Sequence, residues 1–339
     1  MASPLYPWQA ADWQRLQTLR QRPPQALLLR GSAGIGKLLL ATEFARSLLC
    51  RAPQADGLAC GQCPSCRWFA QGTHPDFRLL QPESETEGED SAEGDDGKRK
   101  KKASKQIKVE QIRELAQFCS LSAHQGGRRV VLIQPAESMN PNAANALLKM
   151  LEEPPADLLF ILVSHQYQQL LPTILSRCLS FPLALPDATL STRWLQQQGV
   201  AQAEAALAGS GFAPLLALEA AASHELRDKL LAALRQPRKF DVFALTDTLL
   251  KTEQVQVVHW LQQWCHDLVQ AQHTGSVRYH VADLLTLQKL AAALNPFDLL
   301  HWQKQLTSAK REARHTLNAK LFFQSLLLQY AQLFRSGKG

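Results

Sequence analysis

Apolar residues along this chain follow two rhythms, and the change between them divides it. In the first half, short continuous apolar runs alternate with stretches of helical spacing. Ala26–Arg30, bounded by Pro23-Pro24 and Gly31, reads as a buried strand. Arg129–Ile133 reads the same way. Leu158–Val163 is apolar throughout, as parallel strands covered on both faces are, and Leu179–Phe181 adds a short closing strand. Leu38–Leu49 and Val109–Phe118 repeat with a helical period. Asn140 before Pro141 reads as an N-cap and first-turn proline opening a helix that Pro154-Pro155 ends. This alternation predicts an α/β domain with a parallel sheet.

After Pro182-Leu-Ala-Leu-Pro186 the strand signals stop. Three short helices are predicted at Ala188–Gln198, Ala201–Ala208 and Ala213–Ala221, separated by Gly199 and by Gly209-Ser210-Gly211. From about Ser223 to Phe334 only amphipathic helices follow, Val255–Gln270 and Ala319–Phe334 among them. The expected organisation is an α/β domain over 1–182, a small helical domain over 183–222 and a larger helical domain over 223–339. A length of 339 residues suits two to three such domains.

Composition narrows the class. With 45% hydrophobic and 20% charged residues the chain is not wholly disordered. No apolar run reaches the roughly 18 residues of a membrane span. The opening Met1-Ala-Ser-Pro-Leu-Tyr-Pro-Trp8 lacks the basic-then-apolar layout of a signal peptide, so the expected location is the cytoplasm. The net charge of +7 is unevenly spread. Residues 83–105 hold eight acids followed by six bases, which predicts a disordered, solvated insertion in the first domain. The basic remainder is compatible with nucleic acid or an acidic partner and selects neither.

Three clusters carry chemistry. Gly31-Ser32-Ala33-Gly34-Ile35-Gly36-Lys37, between a strand and a helix, has the form of a phosphate-binding P-loop. The next residue is Leu38, where that motif needs Ser or Thr to hold Mg²⁺. The strand Val130–Ile133 runs into Gln134-Pro135, where an acid would hold the metal and polarise water. Glu137 and Glu152-Glu153 are close in sequence but lie beyond that strand or at the end of the next helix. Hydrolysis and Mg²⁺ binding are therefore not expected, and ATP binding through Gly31, Gly34, Gly36 and Lys37 is expected to be residual at most. Cys50, Cys60, Cys63 and Cys66 fall within 17 residues, a spacing that predicts a closed Cys₄ zinc site of structural type. His74 is an alternative ligand should Cys50 remain in its helix. Finally, Ser176-Arg177-Cys178 precedes the closing strand; by spacing alone Arg177 is a surface arginine.

At Asn145-Ala-Leu-Leu-Lys-Met-Leu-Glu-Glu-Pro-Pro155 and Thr173-Ile-Leu-Ser-Arg-Cys178 the chain resembles the clamp-loader branch of the AAA+ ATPases. The resemblance extends over the four cysteines, His74-Pro75-Asp76, Ile112-Arg-Glu-Leu115, Ala143-Ala144-Asn145 and the helical last third. It implies a RecA-like AAA+ core, a three-helix lid and an all-α collar. It also implies membership of a hetero-pentamer with δ and γ/τ subunits of bacterial DNA polymerase III, which loads the β sliding clamp onto primer-template DNA. Arg177 then becomes an arginine finger reaching a neighbour's ATP site, and Ser164 takes the sensor-1 position. Gly209-Ser210-Gly211-Phe212 lacks the arginine that active relatives carry after Gly-Ser. The expected function is that of a non-hydrolysing loader subunit. The alternatives are a catalytically active γ/τ-like ATPase and, from another class, a zinc-dependent DNA-binding module.

Overall fold

Five strands form one parallel sheet: β1 (Ala26–Arg30), β2 (Phe77–Leu80), β3 (Arg129–Ile133), β4 (Leu158–Ser164) and β5 (Leu179–Pro182). Their spatial order is β2-β3-β4-β1-β5. The computed structural model describes residues 4–83, 104, 106–120, 124, 127–155, 157–221, 224–239, 241–313 and 318–334. Apart from Glu83 and Ser104, the charged tract over 83–105 lies outside the described residues, so the expectation of a solvated insertion falls there.

Every residue of β3 and β4 is buried, as the apolar runs Val130–Ile133 and Leu158–Val163 require, and polar Arg129 and Ser164 at their ends are buried with them. Ala26, Leu28, Val131, Ile133, Phe160 and Leu162 point to one face, which α4 (Val109–Ser120) and α5 (Pro141–Glu152) cover through Ile112, Leu115, Leu147 and Leu151. Leu27, Leu29, Val130, Leu132 and Ile161 are equally buried and alternate to the other face. There α2 (Lys37–Leu49) packs on β1, β3 and β4. Outside α2 lies α1 (Ala10–Arg20), whose Trp13 meets Phe44 edge-on at 6.5 Å. Parallel register sets Arg30 beside Ser164 and Ile133 beside Leu162, bringing the three strand ends to one edge. Asn140 caps α5 by accepting from the Ala143 N–H at 2.8 Å.

Elements beyond the sequence expectation include α1, the sheet-edge strand β2 and α3 (Pro64–Ala70). A four-residue helix, α6 (Pro172–Leu175), leads into β5.

The chain divides into two compact units, Met1–Asp187 and Ala188–Gly339. The second opens with α7 (Ala188–Gln197), α8 (Ala203–Gly209) and α9 (Pro214–Ala221), packed around Leu195, Ala206, Leu207 and Ala217. A separate, larger core unites α10 (His224–Leu234), α11 (Val242–Leu249), α12 (Gln254–Thr274), α13 (Leu284–Ala292), α14 (Pro296–Glu312) and α15 (Ala319–Leu333). So the three short helices keep their own core yet belong to the same compact unit as the long ones. Among the described residues, no helix is long and apolar enough to cross a membrane.

The axis of the second unit is α12, which carries Val258, Leu261, Trp264 and Leu268 into the core. Trp264 donates to Tyr330 Oη at 3.1 Å, and Tyr330 donates to the Leu234 carbonyl at 2.7 Å. That chain ties three helices together. One turn beyond Trp264, the fully buried Asp267 carboxylate accepts from the backbone N–H groups of Arg278, Tyr279 and His280 and from His280 Nδ1. Burial pushes its carboxyl up, but the bonds from His280 and Arg278 outweigh this and hold it below the ordinary aspartate range.

A depressed carboxyl stabilises the fold above the unfolded-state value near 3.8 and loses that contribution as pH falls through the folded value. Asp267→Ala leaves four donors without acceptors and is expected to cost about 3–5 kcal/mol. Urea unfolding followed by Trp264 fluorescence checks it; a loss below about 1 kcal/mol contradicts the role assigned to this carboxylate.

Candidate functional site

The strand ends converge where the glycine loop leaves β1. Gly34 (φ 74°) and Gly36 (φ 86°) are left-handed, and the loop turns directly into α2. A Cβ on Gly36 would stand 2.5 Å from the Tyr6 ring and 2.7 Å from Gln9 Nε2, so glycine is required there by space as well as by angle. Tyr6 stacks on Trp8 at 4.9 Å; Trp8 donates to the Ile35 carbonyl and Gln9 to the Gly36 carbonyl, at 3.0 and 2.7 Å. The segment before α1 thus clamps the second half of the loop.

Lys37 is 2% exposed. Its ammonium donates to the carbonyls of Gly31, at 2.8 Å, and Ser32. Burial lowers its pKa to about 8, and the negative charge of Glu137 opposes that shift. Glu137 stands in the short 3₁₀ turn Ala136–Ser138 after β3, and its Oε1 accepts from the N–H groups of His165 and Gln166 at 2.9 and 3.1 Å. The turn therefore returns toward the loop an acid that the sequence places past the strand. Burial and then the Lys37 charge lower the pKa of His165, and the Glu137 charge opposes them. Ser164, at the end of β4, is fully buried and its hydroxyl has no hydrogen-bond partner among the described residues.

The positions that would hold Mg²⁺ do not fit it. Leu38 offers only hydrocarbon. Gln134 Oε1 already accepts from Gln81 Nε2 at 2.8 Å, and Pro135 has no side-chain donor or acceptor. In the second unit, Ser210 is buried and Phe212 (φ 64°) lies under the Arg278 guanidinium, 5.7 Å from its ring.

Arg177 follows α6 on an exposed corner of the first unit. It donates to the Thr173 carbonyl at 3.2 Å and pairs with Glu152, the last residue of α5, at 2.7 Å. Both partners are solvent-exposed, so the pair is worth at most about 1 kcal/mol and releases easily. Neighbouring Cys178 is buried and anchors the corner.

Cys50, at the C-cap of α2, joins Cys60, Cys63 and Cys66 in a cluster whose four Sγ atoms all lie within 4.8 Å of one another. Two diagonal pairs, Cys50–Cys63 and Cys60–Cys66, are each 3.9 Å apart. A tetrahedron with metal–sulfur bonds of about 2.3 Å has edges of about 3.8 Å, so two of the six edges already match a zinc-like cation and the others need contract by at most about 1 Å. Backbone N–H groups of Gln62 and Cys63 draw the Cys60 thiol down to about 6, whereas burial pushes Cys66 up to about 12. His74 is not in this cluster. It is buried, with Nε2 on Ser65 Oγ at 2.8 Å and Nδ1 accepting from the Asp76 N–H at 3.0 Å. Its work is to close α3 against the entry to β2.

A parallel sheet of this order, with a glycine loop opening a helix at its edge and a helical second unit, defines an AAA+ fold. The fold agrees with that of a DNA polymerase III gamma subunit-related protein from Thermotoga maritima, which covers 95% of this chain and 99% of its own at 18% identity and a TM-score of 0.50. Residues 8–187 match the family described as DNA polymerase III, delta subunit, and residues 222–332 match its C-terminal family. The DNA polymerase III subunit delta′ of Pseudomonas aeruginosa is 36% identical over 97% of this chain and 98% of its own; that of Escherichia coli is 30% identical over 98% and 97%. The chain belongs to the DNA polymerase III delta′ subunit family.

Proposed function

We propose that this chain is a non-hydrolysing subunit of a cytoplasmic DNA polymerase III clamp loader that lends Arg177 to the ATP site of an adjoining γ/τ subunit. The relatives named as delta′ subunits support the loader role. The observation that carries the finer reading is a mismatch within one unit. The loop keeps Gly31, Gly34, Gly36 and Lys37, but the metal positions are Leu38 and an amide already bonded to Gln81. Meanwhile a weakly tethered arginine stands exposed at a corner. Such a chain has little use for a nucleotide of its own, yet it can supply a guanidinium across a subunit seam. A cation supplied in trans offsets charge on the transferring phosphoryl group.

On this reading residues 1–182 are the AAA+ core, 183–222 the lid and 223–339 the collar that joins δ and γ/τ in a hetero-pentamer. The assembly then acts on the β sliding clamp and primer-template DNA. Cys50, Cys60, Cys63 and Cys66 hold a structural Zn²⁺, since four thiolates leave no open coordination position. An active γ/τ-like ATPase is the weaker reading, because nothing at positions 38 and 134 replaces the missing oxygen ligands.

Arg177→Ala in a reconstituted loader is expected to lower single-turnover ATP cleavage at the adjoining site by about 10³-fold while assembly survives. An unchanged rate contradicts the finger assignment. For the cysteines, metal analysis of the purified protein is expected to give close to one zinc per chain, and Cys66→Ser to bring it below about half. Undiminished zinc in that variant contradicts the ligand set.

A further inference from the structure

Arg227, on α10, is 93% removed from solvent, its residual exposure being 7%. Its guanidinium lies against Gly209, where any Cβ would collide with it. Its Nε has no hydrogen-bond partner, and no ion pair is formed by Arg227 among the described residues. Burial lowers its pKa and the nearby charge of Asp228 only partly opposes this. A guanidinium does not give up its proton in proteins, so a charged group with a buried N–H that lacks an acceptor is a standing cost to the fold. Such a cost is relieved by an anion.

The same place holds a cavity of about 390 Å³, lined by Arg227, Ser210, His259, Lys310, Glu219 and Glu253 among others. All of it lies in the second unit. Gln263 Nε2 donates to the Gly209 carbonyl at 2.8 Å and lies 3.2 Å from His259 Nε2, which therefore accepts. The proton of that imidazole is then on Nδ1, as a donor. Arg227, Lys310, His259 and the Ser210 hydroxyl supply donors from four separate elements around one volume. The carboxylates of Glu219 and Glu253 supply acceptors on the same wall.

We propose that this cavity is a phosphate-binding site. The fork of Arg227 suits the paired oxygens of a phosphoryl group. The glutamates distinguish phosphate from sulfate: at neutral pH phosphate still carries a P–O–H, which donates to a carboxylate, whereas sulfate has no proton to give. A purely cationic pocket would not make that distinction. The occupant is either free inorganic phosphate or the terminal group of a small phosphomonoester, and the shared chemistry is the partly protonated phosphoryl group. This site is independent of the P-loop, of Arg177 and of the cysteine cluster.

The full chain is melted in phosphate, sulfate and chloride at matched ionic strength, with adenosine monophosphate as a further arm. At about ten times its Kd, phosphate is expected to raise the melting temperature by about 3 °C in a saturable way, with sulfate giving little. Competition by the monophosphate identifies a phosphomonoester as the occupant; its failure to compete identifies free phosphate. Arg227→Met is expected to melt no lower than wild type in chloride and to lose the phosphate shift. Should that variant not fold, Lys310→Gln is expected to weaken binding about fivefold, read from ³¹P line broadening of phosphate. The proposal is overturned if wild type shows no saturable effect, if sulfate matches phosphate, or if Arg227→Met keeps the full shift.

Discussion

Lys37 is a buried cation, and the edge of the sheet is arranged around satisfying it. Two loop carbonyls accept its hydrogen bonds, and Glu137 faces it with negative charge. In a P-loop that works on nucleotide, the lysine is matched by phosphate oxygens and by a metal held on protein oxygens. Here those metal oxygens are missing at both positions. The loop has instead become a firm junction between β1 and α2, with Tyr6, Trp8 and Gln9 packed on its glycines. The lysine and glycines stabilise this turn by themselves, through the Gly31 and Ser32 carbonyls and the packing of Tyr6 and Gln9, with no nucleotide needed to hold its shape.

That junction also bears on the far corner of the unit. The register that sets β1 between β4 and β5 fixes where α6 can run before β5 begins. Buried Ile174 and Cys178 bracket Arg177, so the backbone of the corner is anchored while the guanidinium lies at the surface, on the Thr173 carbonyl and Glu152. Its tether to Glu152 is exposed and weak, which suits a group meant to change partners. On the proposed reading, an anchored backbone under a weakly tethered guanidinium is what an arginine acting across a seam requires.

Much of this was legible in the chain itself. The strands β1, β3 and β4 announce themselves because each is an apolar run cut off by Pro, Gly or a cap, and burial on both faces leaves no polar position to blur them. The cysteine spacing likewise foretold the cluster that the structure brings together. Other elements were hidden for physical reasons. In α1 only Trp13 and Leu16 are buried, so its period is faint. At the sheet edge, β2 mixes Arg78 with Leu79 and Leu80 and exposes its middle. Helix α3 is seven residues long and draws its order from the cysteines and the Ser65–His74 bond rather than from its own sequence. Strand counting places Glu137 too far past β3 to reach the loop; a single 3₁₀ turn brings it back toward Lys37. Asp267 and Arg227 had no signal at all, since a lone charge in an amphipathic helix looks the same whether it ends in solvent or in the core.

The central claim is that the loop has lost metal-dependent cleavage while keeping its shape. Single-turnover incubation of the purified chain with radiolabelled ATP and Mg²⁺ tests it most directly. The account predicts no phosphate release above the protein-free background. Release that Lys37→Ala abolishes would contradict it.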